Sequence, residues 1–358
     1  MKRAIKLSLN FSTQKKRNAI NALLQSYRGA VNFYIKSLWN IKGKLDKNTL
    51  ARLPSSKTRL SERYKSQALK QAIETVIATR KAAKTQKKYV KCPVFKGSAI
   101  LDSKFVSIEQ GKGSFDLVIR LSCLKKGKKL TLPTKKTKVF NKWMSFPNAK
   151  VLQGCSLSEH CLSAWVEIPD SPPKPGTSLG VDIGINKLLA TSDGEKFGED
   201  FKKLRDKINR KKPKSKAKQK ALRERDNFIH REVNKLPWSI IGFLAVEKLK
   251  GLKKGKKKGK GKSFRKALIP WTYRQVIEVL RQKAQENRVH LEMVEPAYTS
   301  RMCPSCGTVS KDNRKAEDFE CIYCHYHNDS DVVGALNVLS KALGLVGSLE
   351  SPMLSKAV

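Results

Sequence analysis

The stretch Leu179-Gly180-Val181-Asp182-Ile183-Gly184 is apolar except for one carboxylate, that of Asp182. Apolar residues at successive positions predict a strand buried on both faces, here over residues 178–185, followed by a second strand over residues 188–191. A carboxylate inside such a strand is costly unless it is paired or bound to a metal ion. The stretch therefore predicts a buried sheet that contains a chemical site.

Two more acids lie at the borders of apolar segments. Residues 240–246 are almost entirely apolar and are followed by Glu247, at the end of a second strand of the buried type. Asp331 stands at the start of a helix predicted over residues 331–342. Taken alone, Glu247 could be a surface acid at a strand end, and Asp331 could be only a helix N-cap.

The order of the predicted elements, three strands, a fourth strand and a final helix, matches a ribonuclease H-like sheet. In that fold the first and fourth strands are neighbours and the C-terminal helix packs beside them, so Asp182, Glu247 and Asp331 would converge. Three converging carboxylates can hold two divalent cations, which activate the attacking water and stabilise the leaving oxygen in phosphodiester hydrolysis. Hard oxygen ligands favour Mg²⁺ or Mn²⁺ over Zn²⁺ at such a site.

Two Cys-x-x-Cys pairs, separated by fourteen residues, predict a second metal site. Its four candidate ligands are Cys303, Cys306, Cys321 and Cys324. This spacing suits tetrahedral coordination of one Zn²⁺. Four protein ligands leave no open coordination position, so this zinc is predicted to be structural. His325 and His327, beside the second pair, are alternative ligands.

The excess of positive charge is the main clue to a partner. Lys and Arg total 75 against 30 Asp and Glu, for a formal net charge of +45. A compact domain usually carries a net charge of magnitude about 2–8, and a much larger charge destabilises the compact state unless a polyanion neutralises it. Basic residues occur along nearly the whole chain, which predicts an extensive nucleic-acid interface. The alternatives are a merely soluble surface or attraction to acidic lipids.

The remaining composition predicts a cytoplasmic protein. The sequence has no uncharged apolar window of about 18 residues, and the apolar stretch after its basic start is too short for a signal peptide. The other four cysteines are scattered among strand-like segments and are predicted to be buried thiols: Cys92, Cys123, Cys155 and Cys161. We therefore expect a reducing, prokaryotic cytoplasm and association with the nucleoid.

The N-terminal half of the sequence changes its hydrophobic period twice. Residues 3–9 alternate between apolar and polar, which predicts a strand. Within residues 11–90, apolar residues recur at steps of three and four, which predicts an insertion of amphipathic helices. The apolar stripe of the first helix is Ile20, Leu23, Leu24, Tyr27, Val31, Tyr34, Ile35 and Leu38, and that of the second is Leu69, Ala72, Ile73, Val76 and Ile77. From residue 91 the alternation returns and predicts a small antiparallel barrel or sheet that the first strand rejoins. Residues 171–177 are rich in proline and predict a linker, while the Lys/Gly-rich residues 253–262 have too little apolar surface to fold alone.

Four segments of the C-terminal half resemble motifs of the transposon-encoded TnpB nucleases and their relatives, the type V CRISPR effectors. Residues 180–190 (GVDIGINKLLA) resemble the first RuvC motif, and residues 246–249 (VEKL) resemble the second. Residues 298–307 (YTSRMCPSCG) resemble the first knuckle of the zinc ribbon that precedes the third motif, and residues 331–339 (DVVGALNVL) resemble that motif.

The third motif departs from the family pattern at one place. The family usually continues this acid as Asp-x-Asn-Ala-Ala, whereas Val332-Val333-Gly334-Ala335 follows Asp331 here. Asp329 is a rival for the third acid, but only the register of Asp331 aligns Ala335 and Asn337 with the motif.

The resemblance implies a multidomain α+β fold. An antiparallel β-barrel, the wedge, would carry a helical recognition insertion and be followed by a RuvC-type, ribonuclease H-like α/β domain with an inserted zinc ribbon. The implied boundaries are 1–10 and 91–170 for the wedge, 11–90 for the helical lobe, 171–177 for a linker, 178–298 and 328–344 for the RuvC-like domain, 299–327 for the ribbon and 345–358 for a tail.

The resemblance also implies an activity, that of an RNA-guided DNA endonuclease of an insertion-sequence transposon. Asp182, Glu247 and Asp331 would be the catalytic ligands of two Mg²⁺ or Mn²⁺ ions, and the partners would be a guide RNA and double-stranded target DNA. By analogy with RNA-guided effectors, base pairing would choose the sequence while the protein recognises backbone and shape. The alternatives are an RNA-guided repressor without cleavage, a miniature CRISPR effector with the same chemistry, and a zinc-ribbon DNA-binding accessory of transposition.

Overall fold

The chain forms two compact units, Met1–Asp170 and Ser171–Val358, and each has a hydrophobic core of its own. The computed structural model describes residues 1–41, 45, 53–86, 89–124, 128–213, 215–248 and 273–345. The Lys/Gly-rich segment 253–262 and the tail after residue 345 lie outside these ranges.

The first unit combines two antiparallel sheets with helices. Its strands are β1 (Lys2–Ser8), β2 (Ala99–Leu101), β3 (Val106–Gln110), β4 (Leu117–Ser122), β5 (Lys129–Thr134), β6 (Lys150–Leu157) and β7 (Cys161–Glu167). Its helices are α1 (Gln14–Trp39), α2 (Glu62–Gln86) and α3 (Lys138–Met144). One sheet has the order β1-β7-β6-β2 and the other has the order β3-β4-β5.

Strand β1 rejoins the later strands of the unit, as the sequence predicts. Ile5 lies opposite Ala164 and Leu7 lies opposite Leu162 in the antiparallel pairing with β7, and all four side chains are buried. The alternation of apolar residues holds this register, because a slip of one residue would turn every one of them to the other face. The antiparallel sheets are thus present, while their closure into a barrel stays a prediction.

The helical insertion packs its apolar stripes on the same core. Every stripe position predicted for α1 is buried: Ile20, Leu23, Leu24, Tyr27, Val31, Tyr34, Ile35 and Leu38. The stripe predicted for α2 is wrong at Ile77, which is 52% exposed beside the buried Val76, because the next residue of a helix points about 100° away. The buried hydroxyl of Tyr27 donates to Oε1 of Gln71 at 2.8 Å, so this polar contact between the helices is satisfied.

The second unit is built on a five-stranded mixed sheet of order β10-β9-β8-β11-β12. Its strands are β8 (Thr177–Ile183), β9 (Leu189–Thr191), β10 (Lys196–Phe197), β11 (Ile241–Glu247) and β12 (His290–Val294). Its helices are α4 (Phe201–Arg210), α5 (Lys216–Asn234), α6 (Tyr273–Glu286) and α7 (Ser330–Ala342). Strands β8, β11 and β12 are parallel, whereas β9 and β10 pair antiparallel. Within the described ranges, no helix is long and apolar enough to cross a membrane.

Strand β8 ends two residues earlier than the sequence predicts, because the chain turns at Gly184. The Gly184 N–H donates to the carbonyl of Leu188 at 3.2 Å. A Cβ at position 184 would lie 2.5 Å from the carbonyl oxygen of Lys187, so this turn requires glycine. The tight turn returns the chain directly into β9, and Asp182 is therefore the penultimate residue of β8.

The two faces of the sheet carry different partners. Leu179 and Val181 of β8 point into the core formed with α4, α5 and α6. The alternate residues, Gly180 and Asp182, lie under α7, and Ala245 of β11 packs against the same helix. Since side chains alternate along a strand, α7 covers one face of the sheet and the other three helices cover the opposite face.

Gly180 allows α7 to lie directly against β8. A Cβ at this position would be 2.2 Å from the carbonyl oxygen of Ala335 and 2.8 Å from Cβ of Leu339. We expect Gly180→Ala to push α7 away from the sheet and to lower the free energy of unfolding by about 1–3 kcal/mol. Urea denaturation measures this change. Gly29→Ala is the control, because a Cβ on Gly29, in α1, would have its nearest neighbouring atom, Cγ2 of Thr58, at 3.9 Å. Equal stability of the Gly180→Ala protein and the unmodified protein would contradict close packing of α7 on Gly180.

A small three-stranded sheet is inserted between β12 and α7. It consists of β13 (Arg314–Lys315), β14 (Asp318–Glu320) and β15 (His327–Asp329), in the order β13-β14-β15 with antiparallel pairing. Its last strand runs directly into α7, so this sheet and the helix that covers β8 share one continuous piece of chain.

Candidate active site

Asp182 and Glu247 lie at the same level near the carboxyl ends of two neighbouring parallel strands. Val181 of β8 pairs with Val246 of β11, and each acid is the next residue of its strand. Parallel strands lie about 4.8 Å apart, so residues at one level present their side chains next to each other on one face. Glu247 is only 7% exposed, and the alternative that it is a surface acid is therefore wrong.

The third acid, Asp331, lies in the first turn of α7. The N-cap of this helix is Asp329, whose Oδ1 accepts from the backbone N–H of Asp331 at 3.0 Å and from that of Val332 at 3.3 Å. The alternative that Asp331 is only an N-cap is therefore wrong. One turn of α7 lies directly over β8, since a Cβ on Gly334 would be 3.3 Å from Oδ2 of Asp182.

The acids of this face act on one another electrostatically. Burial, and after it the carboxylates of Glu247 and Asp331, raise the pKa of Asp182 to about 7, although the guanidinium of Arg314 opposes the shift. Burial also raises the pKa of Glu247, against the effect of its hydrogen bond from Thr299. Carboxylates whose charged forms disfavour one another are typical of sites that bind cations or transfer protons.

Thr299 links Glu247 to the segment that leads into the first Cys-x-x-Cys pair. Its side chain is buried and its hydroxyl donates to Oε1 of Glu247. The carbonyl of Thr299 accepts from Nδ2 of Asn337 at 2.8 Å, and the same amide group donates to the carbonyl of Met302 at 2.7 Å. One chain of hydrogen bonds therefore connects β11, the segment before Cys303 and α7.

Sequence reasoning missed two basic residues of this site. Arg314 of β13 donates to Oδ1 of Asp331 at 3.2 Å. Lys196 of β10 donates to Asp329, and although burial raises the pKa of Asp329, this hydrogen bond and the capped N–H groups hold it below its ordinary value. Nothing in the sequence near either basic residue distinguishes it from the many other Lys and Arg residues, so only the fold could identify them.

The four predicted zinc ligands come together. Sγ of Cys303 lies 3.6 Å from Sγ of Cys324, and Sγ of Cys306 lies 3.5 Å from Sγ of Cys321. All four sulfur atoms lie within 4.8 Å of one another, which in the described part of the chain is true of no other group of three or more Cys, His, Asp or Glu ligands. A tetrahedral ion with zinc–sulfur distances of about 2.3 Å holds its sulfurs about 3.8 Å apart. The cluster therefore fits a structural zinc ion.

The backbone around the cluster repeats the same turn twice. In each pair the residue after the second cysteine is left-handed, with φ of 77° at Gly307 and 57° at His325, and its N–H donates to the carbonyl of the first cysteine at 3.0 Å. Asn313, which is fully buried, joins the two turns by accepting from Ile322 N–H at 3.1 Å and donating to Thr308 O at 3.1 Å. The neighbouring His327 lies 2.7 Å from Asp318 instead of joining the cluster.

The departure from the third motif has a structural counterpart. Val333, which stands where the family has asparagine, is fully buried and packs with Cys303, Phe319 and Cys321. The first turn of α7 is thus braced by apolar contact with the cysteine cluster. The helix start and the cluster share one small core, and Asp331 lies at its edge.

Parts of this chain are similar to known proteins. Residues 273–338 match the family described as Cas12f1-like, TNB domain. A TnpB-like protein of Methanocaldococcus jannaschii is 28% identical over 170 residues, which are 44% of this chain and 60% of that protein. The putative RNA-guided DNA endonuclease InsQ of Escherichia coli K12 is 24% identical over 239 residues, which are 55% of this chain and 60% of InsQ. The chain thus spans less than two thirds of the length of these curated relatives.

A solved structure supports the fold. The protein in the cryo-EM structure of the Cas12f1–sgRNA–target DNA complex aligns with a TM-score of 0.53 and 15% identity over 90% of this chain and 82% of that chain. The chain therefore has the multidomain α+β fold of that protein, with antiparallel sheets and a cysteine cluster that suggests a zinc ribbon. The resemblance to TnpB-like proteins and type V effectors, predicted from the motifs, is confirmed by the family match and the relatives.

Proposed function

We propose that the chain is an RNA-guided DNA endonuclease of the TnpB kind, which hydrolyses phosphodiester bonds of guide-matched DNA. One observation carries the proposal: Asp182 and Glu247 lie at one level near the ends of adjacent parallel strands, and the helix whose first turn contains Asp331 covers that face. The three acids come from separate parts of the chain, and the carboxylates of Glu247 and Asp331 lie near enough to Asp182 to raise its pKa.

The sheet supports a RuvC-type, ribonuclease H-like domain over residues 178–298 and 328–344. Its first and fourth strands, β8 and β11, are neighbours, and α7 packs beside them, which is the arrangement expected of that fold. We assign residues 299–327 to an inserted zinc ribbon. In the first unit we assign residues 1–10 and 91–170 to a wedge barrel and residues 11–90 to a recognition lobe.

Asp182, Glu247 and Asp331 would hold two Mg²⁺ or Mn²⁺ ions, because hard carboxylate oxygens prefer such ions. When bound, such a pair stabilises the attacking and leaving oxygens of an in-line displacement at phosphorus.

The chain's own groups keep the acids in position. Thr299 fixes one oxygen of the Glu247 carboxylate, and Arg314 holds one oxygen of Asp331. The raised pKa of Asp182 means that its carboxyl is partly protonated near neutral pH when no cation is bound, so cation binding would release this proton. These hydrogen bonds orient the carboxylates of Glu247 and Asp331 before nucleic acid binds.

Guide RNA and double-stranded DNA are the partners that we assign. The Cas12f1 complex contains an sgRNA and a target DNA, and this chain carries a net charge of +45 that such polyanions would neutralise. The experiment is to express the chain with the DNA that flanks its gene, purify it in high salt and sequence the bound RNA. One dominant RNA with a defined end, which then directs cutting of a matching plasmid, is the expected result. A heterogeneous RNA that washes off with salt, or a matched plasmid bound but uncut, would overturn the proposal.

We expect Thr299→Val to weaken the site without unfolding the protein. The change keeps the shape of the side chain and removes the only proton that it donates to buried Glu247. Loss of such a supporting hydrogen bond typically costs about 10–100-fold in metal affinity or activity. The concentration of Mg²⁺ that gives half-maximal cleavage should rise accordingly.

Thr299→Ser is the control for this change, since it retains the hydroxyl and should restore the Mg²⁺ dependence of the unmodified protein. If Thr299→Val and Thr299→Ser show the same Mg²⁺ dependence, the hydroxyl does not position Glu247.

A further inference from the structure

A basic cleft of about 1110 Å³ lies between α4 and α5, and none of the three acids lines it. Each helix turns a row of three cations towards the cleft: Lys203, Lys207 and Arg210 on α4, and Lys216, Lys220 and Arg223 on α5. In both rows the residues are spaced by four and then three positions, which places them on one face of the helix. The two helices therefore hold their cationic faces towards one shared groove.

The length of the groove suits a nucleic-acid strand. The row on α5 continues to Arg231, fifteen residues after Lys216, and this separation corresponds to about 22 Å at about 1.5 Å per residue. One strand of a duplex carries a phosphate about every 3.4 Å along the axis. The row is therefore long enough to follow on the order of six phosphates of one strand.

The described lining of the groove carries more positive than negative charge. The two acids in its lining each bind a lysine of α4 at 2.8 Å. In the ranges that the structure describes, four other cations of the lining, all exposed, form no ion pair with an acid: Arg210, Lys216, Lys220 and Arg223. Like charges gathered in one concave surface raise its potential and attract an anion.

The floor of the groove is apolar but offers no aromatic face for a base. Phe228 is 9% exposed, and the guanidinium of Arg231 lies 4.9 Å from the centre of its ring. Proteins that bind unpaired bases present open aromatic faces on which the bases stack. The described lining of the groove has no such face, so its chemistry suits contacts with phosphates, which carry no sequence information.

We propose that the cleft between α4 and α5 binds the sugar–phosphate backbone of a nucleic-acid strand through Arg210, Lys216, Lys220 and Arg223. The assignment deepens the proposed function and rests on it for the identity of the strand, which is guide RNA or target DNA. The cleft recognises the phosphates that both have in common, so it supplies affinity and register while base pairing supplies the sequence.

The test compares two variants of equal charge in the full-length protein. In the cleft variant Arg210, Lys216, Lys220 and Arg223 are replaced by glutamine, which is tolerated in helices. In the control variant the same change is made at four exposed cations of the second unit that do not line the cleft: Lys202, Lys211, Arg274 and Arg288. Fluorescence anisotropy then measures the affinity for guide RNA, and for a matched DNA duplex with guide RNA bound, at a series of salt concentrations.

For the cleft variant, the slope of log affinity against log salt concentration should become shallower by about 3, because each lost phosphate contact reduces the magnitude of this slope by about 0.7–0.9. The control variant should keep nearly the slope of the unmodified protein. A change confined to the RNA arm or to the DNA arm identifies the strand in the cleft. Equal slopes for the cleft and control variants in both arms would overturn the proposal.

A third variant guards against loss of folding. Exchanging Lys for Arg and Arg for Lys at the four positions keeps the charge and should keep the original slope. If the unmodified protein binds RNA and DNA but does not cut, the proposed function fails. The proposal for the cleft is still tested in that case, because the salt slopes do not depend on cleavage.

Discussion

Replacing Asp182 with asparagine is expected to lower the rate of DNA cleavage by on the order of 10³-fold and to leave guide-RNA binding unchanged. The change removes one of three acids at the ends of β8, β11 and the start of α7. A bound metal pair supplies several kcal/mol of transition-state stabilisation, and each 1.36 kcal/mol is worth tenfold in rate. Single-turnover cleavage of a guide-matched plasmid measures the loss.

The same variant should also be the more stable protein when no divalent cation is present. The pKa of Asp182 is raised from 3.8 to about 7, first by burial and then by its acidic neighbours. Between these values the folded protein binds more protons than the unfolded chain, so the stability contributed by the protonated carboxyl is lost as the pH rises from about 4 through 7. The Asp182→Asn variant has no such loss, and its advantage in Tm should therefore be larger at pH 8 than at pH 5.

Asp193→Asn is the control, because Asp193 is an exposed acid on the turn after β9. It should cut normally and show no growing advantage in Tm with pH. An Asp182→Asn protein that still cuts at the normal rate would remove Asp182 from the site. An Asp182→Asn protein that does not cut, and whose advantage in Tm over the unmodified protein does not grow with pH, would point to misfolding instead of loss of a metal ligand.

The second large effect is expected from Cys321→Ser. Cys321 is fully buried, and its Sγ lies 3.5 Å from that of Cys306. Structural zinc contributes on the order of 10–16 kcal/mol of apparent binding free energy in small zinc-finger peptides, so removal of one thiolate should cost most of the zinc and unfold β13–β15. Because Val333 shares a core with Cys321, the start of α7 should loosen and cleavage should fall with the zinc content.

Zinc content by elemental mass spectrometry and limited proteolysis between β12 and α7 test this expectation. Cys92→Ser is the control, since Cys92 is half-buried in the first unit, outside the cluster. It should retain one zinc ion per chain and normal cleavage. A Cys321→Ser protein that loses zinc but cuts normally would show that the cluster does not support Asp331.

The grouping of the four cysteines, and the candidate roles of Asp182 and Glu247, could be predicted because their signals are local. Asp182 and Glu247 interrupt or end apolar strands, where an unpaired carboxylate is costly, and the cysteine pairs have the spacing of zinc knuckles. The preference for Asp331 over Asp329 rests on the register that aligns Ala335 and Asn337 with the third motif, and the structure adds that Asp329 is the N-cap of α7.

The supporting residues could not be predicted in this way. Thr299 reaches Glu247 across 52 positions of the chain, and Arg314 reaches Asp331 only because the small sheet folds back to α7. The exposure of Ile77 in α2 shows the same limit, because an apolar residue beside a stripe can lie outside the contact. Periodicity predicts which elements form, while the meeting of distant side chains depends on their packing.

The position of the cysteine cluster in the chain has a consequence for biosynthesis. Asp331 is the last of the three acids to leave the ribosome, and α7 follows the cysteine cluster directly in the chain. Since domains generally fold in the order in which they emerge, a nascent chain can complete its first unit and most of the five-stranded sheet while its third acid is still untranslated. The proposed nuclease would therefore lack its third carboxylate for as long as only the residues before Asp331 have been made.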